Sequence, residues 1–303
     1  MKRGLTFTVI TQAQSLNYGE GIGNISELKK LTRADGNMYT FASRQCIRYD
    51  IVRLAADVFN WNLQVVDKAK GTIQFRDDMT IKESKEMDLF GYMKTNKKDD
   101  KDKGGSLTRE ATVRLSNLIS LEPYRSDMDF LNNKGLADRI GEHPNLANVE
   151  QHLSYYTYTV TIDLSKIGID GEIELSNEER CNRVIEFLEI IKILNRNIRG
   201  RQENLSPLFV VGGLYDIANP FFLGRVKIDI DKNGYKINNE SIKDVVESTF
   251  LGKELKESTY MGIVEDAFTN KNDFEEILGE NLMTVDKFFP QLIKGVKEYY
   301  EVN

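Results

Sequence analysis

The sequence predicts an α+β fold in which strands and helices follow the order strand, helix, one or more strands, helix, strand, with a long insertion between the halves. Three observations carry this. "LTFTVITQ" near the start is a short β-rich run, and "SYYTYTVTIDL" at 154–164 alternates strictly between apolar and polar residues. Two further segments, opening at Ser43 and Ser176, place apolar residues at helical spacing behind capping serines.

The elements follow in order. Leu5 to Gln12 is the first strand. Residues 13–42 form a long connection with turn signals at Asn17–Gly19 and Asp35–Gly36, and a connection of that length is usually functional. Ser43 caps a helix to about Asn60, with Ile47, Ile51, Leu54, Ala55 and Val58 on one face. Arg44 and Arg48 run along the edge of that face, while Asp50, Arg53 and Asp57 point away from it. Residues 61–150 are irregular and read as an insertion. Within them "KTNKKDDKDKGGS" has almost no apolar residue and reads as a mobile loop tip. After the alternating strand, Ser176 and Glu179 form a capping box for a helix buried through Val184, Phe187, Leu188, Ile191 and Leu194. A basic turn, "NRNIRGR", follows it. "PLFVVGGLYD" is an apolar strand, and residues 222–238 read as a hairpin turning at Asn233–Gly234. The tail holds about three short helices, the last from Val285 to Tyr300. This order is that of a β-α-β-β-α-β sandwich of the ferredoxin or RRM type.

At 303 residues the chain is long enough for a substantial core. No apolar run reaches the length of a transmembrane helix, and the broken apolar stretch in residues 1–20 is not read as a signal peptide. Cys46 and Cys181 stand far apart in no metal spacing and fit a reducing cytoplasm. The net charge is -6, but it is unevenly spread. Lys+Arg minus Asp+Glu is +3 over residues 1–60 and +2 over 181–240, against -7 over 121–180 and -6 over 241–303. A basic surface built from residues 1–60 and 181–240 is compatible with the total. Ordinary mixed faces would give the same charge count.

Several chemistries are missing. The loop "SLNYGEGIGNISELKKL" carries Gly19, Gly21 and Gly23 directly after the first strand, yet its third glycine comes one position early for a dinucleotide fingerprint. There is no P-loop. The two histidines, His143 and His152, have neither metal-ligand spacing nor a nearby nucleophile, so surface or internally satisfied histidines are the simpler reading. Asp35 before Gly36 is most simply a turn residue. What remains is glycine, arginine and lysine in loops and at helix ends, and aromatics near glycines. Such groups suit a polyanion backbone, because glycine permits close approach, cations neutralise phosphate and aromatics stack bases.

Taken in order, "LTFTVITQAQSLNYGEGIGNISELKKL", "FASRQCIRYDIVR", "MDLFGYM" and "VVGGLYDIANPFFLGRVKIDI" resemble the DevR-type backbone subunit (RAMP superfamily) of type I-B CRISPR Cascade complexes. The similarity runs from the first strand to about residue 230, and the acidic tail is not matched. The resemblance implies an RRM-like palm from residues 1–60 and 151–240, with inserted finger and thumb elements. Residues 61–150 would be the finger, 222–238 a possible thumb hairpin, and 241–303 a helical acidic C-terminal part. It also implies a cytoplasmic, non-catalytic protein without metal or cofactor. That protein polymerises head to tail along the guide RNA (crRNA) and presents it to target DNA. Further copies of itself and other Cascade subunits are its protein partners, and no membrane is involved.

By the same resemblance Asn17, Gly19, Asn24 and Lys29 in the first loop lie near RNA. Ser43, Arg44, Gln45 and Arg48 open the first helix, whose N-terminal end suits phosphate. Gly212 and Gly213 are placed in a glycine-rich turn after the fourth palm strand. Arg199 and Arg201 join them on charge and position. For each arginine the competing reading is a surface salt bridge. The rival functions are a type III-like subunit cutting target RNA through Asp35, a small-molecule enzyme using the glycine loop, and an interaction protein without nucleic acid. The "NYGEG" and "DLFGYM" stretches favour the type I kin.

Overall fold

The computed structural model describes residues 3–69, 71–95, 105–232 and 234–302. Most of the charged run 94–106 and the hairpin-turn residue Asn233 fall outside them. The chain forms a mixed α+β structure around one large sheet, with β1 (Gly4–Ala13), α1 (Arg44–Phe59), β2 (Leu118–Ser120), β3 (Ser154–Asp163), α2 (Asn177–Lys192), β4 (Phe209–Tyr215), β5 (Thr259–Ile263) and α3 (Val285–Tyr300) as the principal strands and helices. Among the described residues the sheet runs Leu282–Met283, β5, β4, β1, β3, β2, Met38–Ala42 and Lys30–Thr32, with Val113–Leu115 also on β3. The inner order is thus β4-β1-β3-β2, every neighbour antiparallel.

Strand alternation sorts the two faces. Leu5, Phe7 and Val9 of β1 join Val160 and Ile162 of β3 under the helices, in a core completed by Ile47 and Ile51 of α1 and Phe187 and Leu188 of α2. Ile10, Tyr155, Phe209 and Val211 pack instead with Phe222, Val226, Ile237 and Phe274. So each face has its own cover: helices on one, the segments after β4 on part of the other.

The helix signals map closely. Ser43 Oγ accepts from the Cys46 amide at 3.3 Å, and Ser176 Oγ accepts from the Glu179 amide at 3.3 Å. α1 stops where Asn60 takes a left-handed conformation, φ 55°. α3 begins at Val285 and ends at Tyr300 as read, with Phe288, Phe289, Leu292, Val296 and Tyr300 buried as its inner stripe. The tail is nevertheless not only helical, because β5 lies in the main sheet. Likewise β2 falls within residues 61–150, so the span read as an insertion contains one of the sheet's own strands. Three residues give too little periodicity for such a short strand to announce itself.

Gly212 and Gly213 correct the reading of a turn. Both lie inside β4 and are buried. A Cβ on Gly212 would sit 2.1 Å from the Thr6 carbonyl oxygen, and one on Gly213 would sit 1.8 Å from that of Ser258. Close backbone approach accounts for both glycines, from β1 at Gly212 and from the turn before β5 at Gly213.

Among the described residues no helix is long and apolar enough to cross a membrane.

Candidate nucleic-acid interface

The loop after β1 folds back on itself as a narrow lobe. Gly19 N–H donates to the Glu27 carbonyl at 2.8 Å, Lys29 N–H to that of Asn17 at 2.9 Å, and Ile22 and Ile25 bond each other across the tip. Gly23 turns that tip with φ 61°, a conformation glycine adopts without steric cost. A Cβ on Gly21 would lie 2.6 Å from the Ile25 carbonyl oxygen. Leu16 and Leu28 are buried and pin the lobe's base, while Gly19 and Asn24 remain exposed. The Asn24 carbonyl accepts from the Asn148 amide at 2.9 Å, which ties the tip to strand Leu146–Gln151.

Asn17 connects this lobe to α1, its side-chain oxygen accepting from the Ser43 amide at 3.3 Å while its side-chain NH2 donates to the Tyr18 carbonyl at 3.3 Å. The first turn of α1 contains no acidic residue, so nothing neutralises the positive end of the helix. Arg44 and Gln45 are exposed there. Among the described residues the Arg44 guanidinium has no hydrogen bond or ion pair; only its backbone N–H is engaged, donating to Asn117 Oδ1 at 3.0 Å. Arg48 is paired with Glu86 at 2.6 Å and lies 5.1 Å from the Phe90 ring centre. With Arg114 these residues line an open cleft of about 530 Å³.

The basic turn after α2 is a hairpin, Asn195–Ile198 with Arg201–Asn204, closed by Arg199 and Gly200 at φ 49° and 77°. Two consecutive positive φ values are what a two-residue hairpin turn needs. Arg196 docks it, donating to Asp50 at 2.7 Å and to the Leu16 carbonyl at 2.6 Å. Asp50 therefore does not face solvent as the helical pattern implied; it is 1% exposed because the hairpin covers that side of α1. Arg199 lies 4.3 Å over the Tyr18 ring, and Tyr18 in turn donates its hydroxyl to the Glu150 carbonyl at 3.0 Å. Arg201 donates to Gln151 at 3.1 Å and pairs with Glu203 at 3.7 Å. The fold thus brings Asn17, Gly19, Lys29, Ser43, Arg44, Gln45, Arg199 and Arg201 to one end of the sheet. Gly212 and Gly213 are not part of that cluster.

A family model described as CRISPR-associated negative auto-regulator DevR/Csa2 matches residues 5–235. The chain belongs to the DevR/Csa2 family. A Myxococcus xanthus (strain DK1622) protein described as CRISPR-associated protein Cas7/Cst2/DevR is 29% identical over 178 residues, which is 54% of this chain and 58% of the relative. The match therefore spans little more than half of that protein. Two chains from solved structures titled CRISPR RNA-guided surveillance complex, one of them pre-nicking, align with TM-scores of 0.59 and 0.62. They cover 98% and 97% of this chain and 99% of their own, at 12% and 11% identity. At that identity the likeness is one of fold.

For a DevR/Csa2 chain the stretch "DLFG" has a role in packing. Asp88 is fully buried and accepts from Arg183 of α2 at 2.8 Å, from Arg109, and from the Gly168 amide at 3.0 Å. Leu89 and Phe90 enter the main core. Gly91 has φ 72°, and a Cβ there would lie 2.4 Å from the Arg109 carbonyl oxygen. His143 is exposed, whereas His152, Cys46 and Asp35 are each engaged locally. His152 is buried with Nδ1 2.7 Å from the Thr40 hydroxyl, and burial pushes its imidazole below the ordinary value. Burial pushes the Cys46 thiol up to about 11, which keeps it protonated near neutral pH. Asp35 is the turn residue expected: its carboxylate accepts from the Asn37 amide at 2.9 Å and the Tyr39 hydroxyl at 2.8 Å, and these bonds hold it below the usual carboxylate range.

Tyr18, Asp50, Arg114 and Arg196 were missing from the sequence-derived set. Arg196 lay in plain view within "NRNIRGR". Only the fold pairs it with Asp50.

Proposed function

We propose that this DevR/Csa2 chain is a guide-RNA-binding backbone subunit of a type I-B Cascade complex. It polymerises head to tail along the spacer, presents it to target DNA, and does not cleave it. The observation that carries the reading is Arg44: a guanidinium unpaired among the described residues, at an acid-free helix start beside the glycine lobe and the Arg199–Tyr18 pair. Such groups grip phosphate and sugar without reading sequence, as a subunit accepting any spacer must. The β4-β1-β3-β2 order supports an RRM-like palm. The segment around 61–117 would then be the finger. Hairpin Ile228–Ile237, anchored by buried Ile237 and carrying Ile230 67% exposed, would be the thumb. Further copies would meet through a heterologous surface, which generates an open helix. The acidic regions 121–180 and 241–303 would face basic surfaces of the next copy. Both Asp35 oxygens are occupied within its own turn, which favours the non-cleaving reading.

Co-expression with a CRISPR array tests this directly. The purified protein should show a high ratio of absorbance at nucleic-acid to protein wavelengths, and the bound RNA should sequence as spacer with repeat remnants. Recovery of protein alone, or of random cellular RNA, would refute it.

Arg199 offers a test with opposite signs. Arginine is costly at positive φ, where asparagine and glycine are preferred. Arg199→Asn should leave thermal stability equal or raise it by about 0.5–1 kcal/mol, while guide-RNA affinity falls. A variant that binds RNA like the parent would remove Arg199 from the interface.

A further inference from the structure

The sheet face opposite α1, α2 and α3 is only partly covered. Beyond the second core a cleft of about 500 Å³ opens between edge strand Val113–Leu115 and the segment following β4. Its floor is lined with hydroxyls. Thr159 and Thr161 of β3 lie opposite Thr8 and Thr6 of β1, their oxygens 2.7 and 3.1 Å apart. Its far wall is apolar, formed by Ile217, Pro220 and Leu223, the last 50% exposed.

Three cations stand at the rim: Arg3, Arg114 and Lys166. Arg114 and Lys166 share one exposed carboxylate, Glu110, at 3.2 and 3.7 Å. Exposed pairs of this kind are weak, so a phosphate can replace Glu110 as their partner. Among the described residues Arg3 has no ion pair. Asp163, also at the rim, is occupied as the cap of Leu164–Lys166, accepting from the Ser165 amide and hydroxyl at 3.2 and 2.6 Å.

This cleft is not isolated. Ala111, Arg114 and Leu115 line both it and the cleft at the start of α1. The two clefts therefore adjoin at the edge strand. An apolar wall, a hydroxyl floor and cations at the rim match the three parts of a ribonucleotide: base face, 2′-hydroxyl and phosphate. We propose that guide RNA passing the N-terminus of α1 turns around strand Val113–Leu115 and seats a nucleotide in this second cleft. The proposal rests on the RNA-binding reading above and extends it to Arg3, Arg114, Lys166, Thr159 and Thr161.

Two measurements on the full chain test it. Affinity for a fluorescent uridine-rich single-stranded RNA is followed against salt for the parent, for Arg3→Glu with Lys166→Glu, and for Arg44→Ala with Arg48→Ala. Each phosphate contact contributes about 0.7 to the slope of log affinity against log salt for single strands. The Arg3/Lys166 variant should therefore lose about 1.4 of that slope. Independently, p-benzoylphenylalanine in place of Leu223 should cross-link to guide RNA in the assembled complex. The same group in place of Ile140, 76% exposed and on the separate segment after strand Asp127–Asn132, should not.

An unchanged slope in the Arg3/Lys166 variant, beside a weakened Arg44/Arg48 variant, overturns the second cleft and leaves the RNA-binding reading standing. An absence of RNA binding by the parent overturns both. Cross-linking from position 223 to the target DNA strand alone assigns the cleft to DNA and overturns its occupation by guide RNA.

Discussion

Replacing Asp88 by alanine should cost about 3–5 kcal/mol of folding free energy, the range for removing one partner of a buried ion pair. Asp88 is fully buried and serves Arg183, 2% exposed at its side chain, and Arg109, 8% exposed. Arg183 keeps Glu179 at 2.7 Å and the Ile81 carbonyl at 2.8 Å, and Arg109 keeps Asp170 at 3.7 Å. Arg183 stays almost wholly shielded from water when the carboxylate is gone, and Arg109 largely so. The Gly168 amide also loses its acceptor. Asp88 sits on the short helix Lys85–Phe90, Arg109 on strand Ser106–Arg109, and Arg183 on α2, so one carboxylate fastens the inserted segments to the helical layer. The effect should therefore appear both as a lower urea midpoint and as faster proteolysis within residues 61–117. Asp88→Asn keeps the shape and loses the charge, and should fall between parent and Asp88→Ala. A loss from Asp88→Ala below about 1 kcal/mol, the scale of an exposed pair, would show that the network is not holding the structure.

The second large effect concerns RNA rather than stability. Arg44→Ala with Arg48→Ala should strip most guide RNA from the purified protein while moving stability little. Arg44 has no partner to lose among the described residues, and Arg48 loses one partly exposed pair with Glu86, worth about 0–1 kcal/mol. The two single variants should differ. Arg44 is free to meet phosphate, whereas Arg48 must give up Glu86 to do so, and Arg44→Ala should carry the larger share. Quantifying bound RNA by absorbance and gel after identical purification decides it. Full-length RNA retained at the parental level in the double variant would place the interface elsewhere.

Much of this was legible beforehand where a signal is local. Capping serines and helical spacing located α1, α2 and α3 because a helix's bonds close within four residues. Strict alternation located β3 because successive side chains of a strand point to opposite faces. The position of Asp50 was not legible, since the helical pattern alone assigned it to solvent. What buries it is a hairpin some 145 residues later in the chain. β2 was hidden because three residues carry almost no periodic signal; its identity comes from pairing with β3. Gly212 and Gly213 read as a turn because glycine pairs usually are one. Their cause is a neighbouring backbone, Thr6 and Ser258, which no spacing rule contains.

The sequence alone determined the order of most principal elements, the motifs that carry the family resemblance, the absence of a nucleotide fingerprint, and two local pairs of cations, Arg44 with Arg48 and Arg199 with Arg201. Those properties depend on residues within a few positions of each other. Only the tertiary structure decided which cations are free and which are committed. Arg48, Arg183 and Arg196 look alike in one dimension, but they face Glu86, Asp88 and Asp50 respectively, while Arg44 faces none of these. Charge pairing acts over a few ångströms of space, and the partners here lie 38, 95 and 146 residues away.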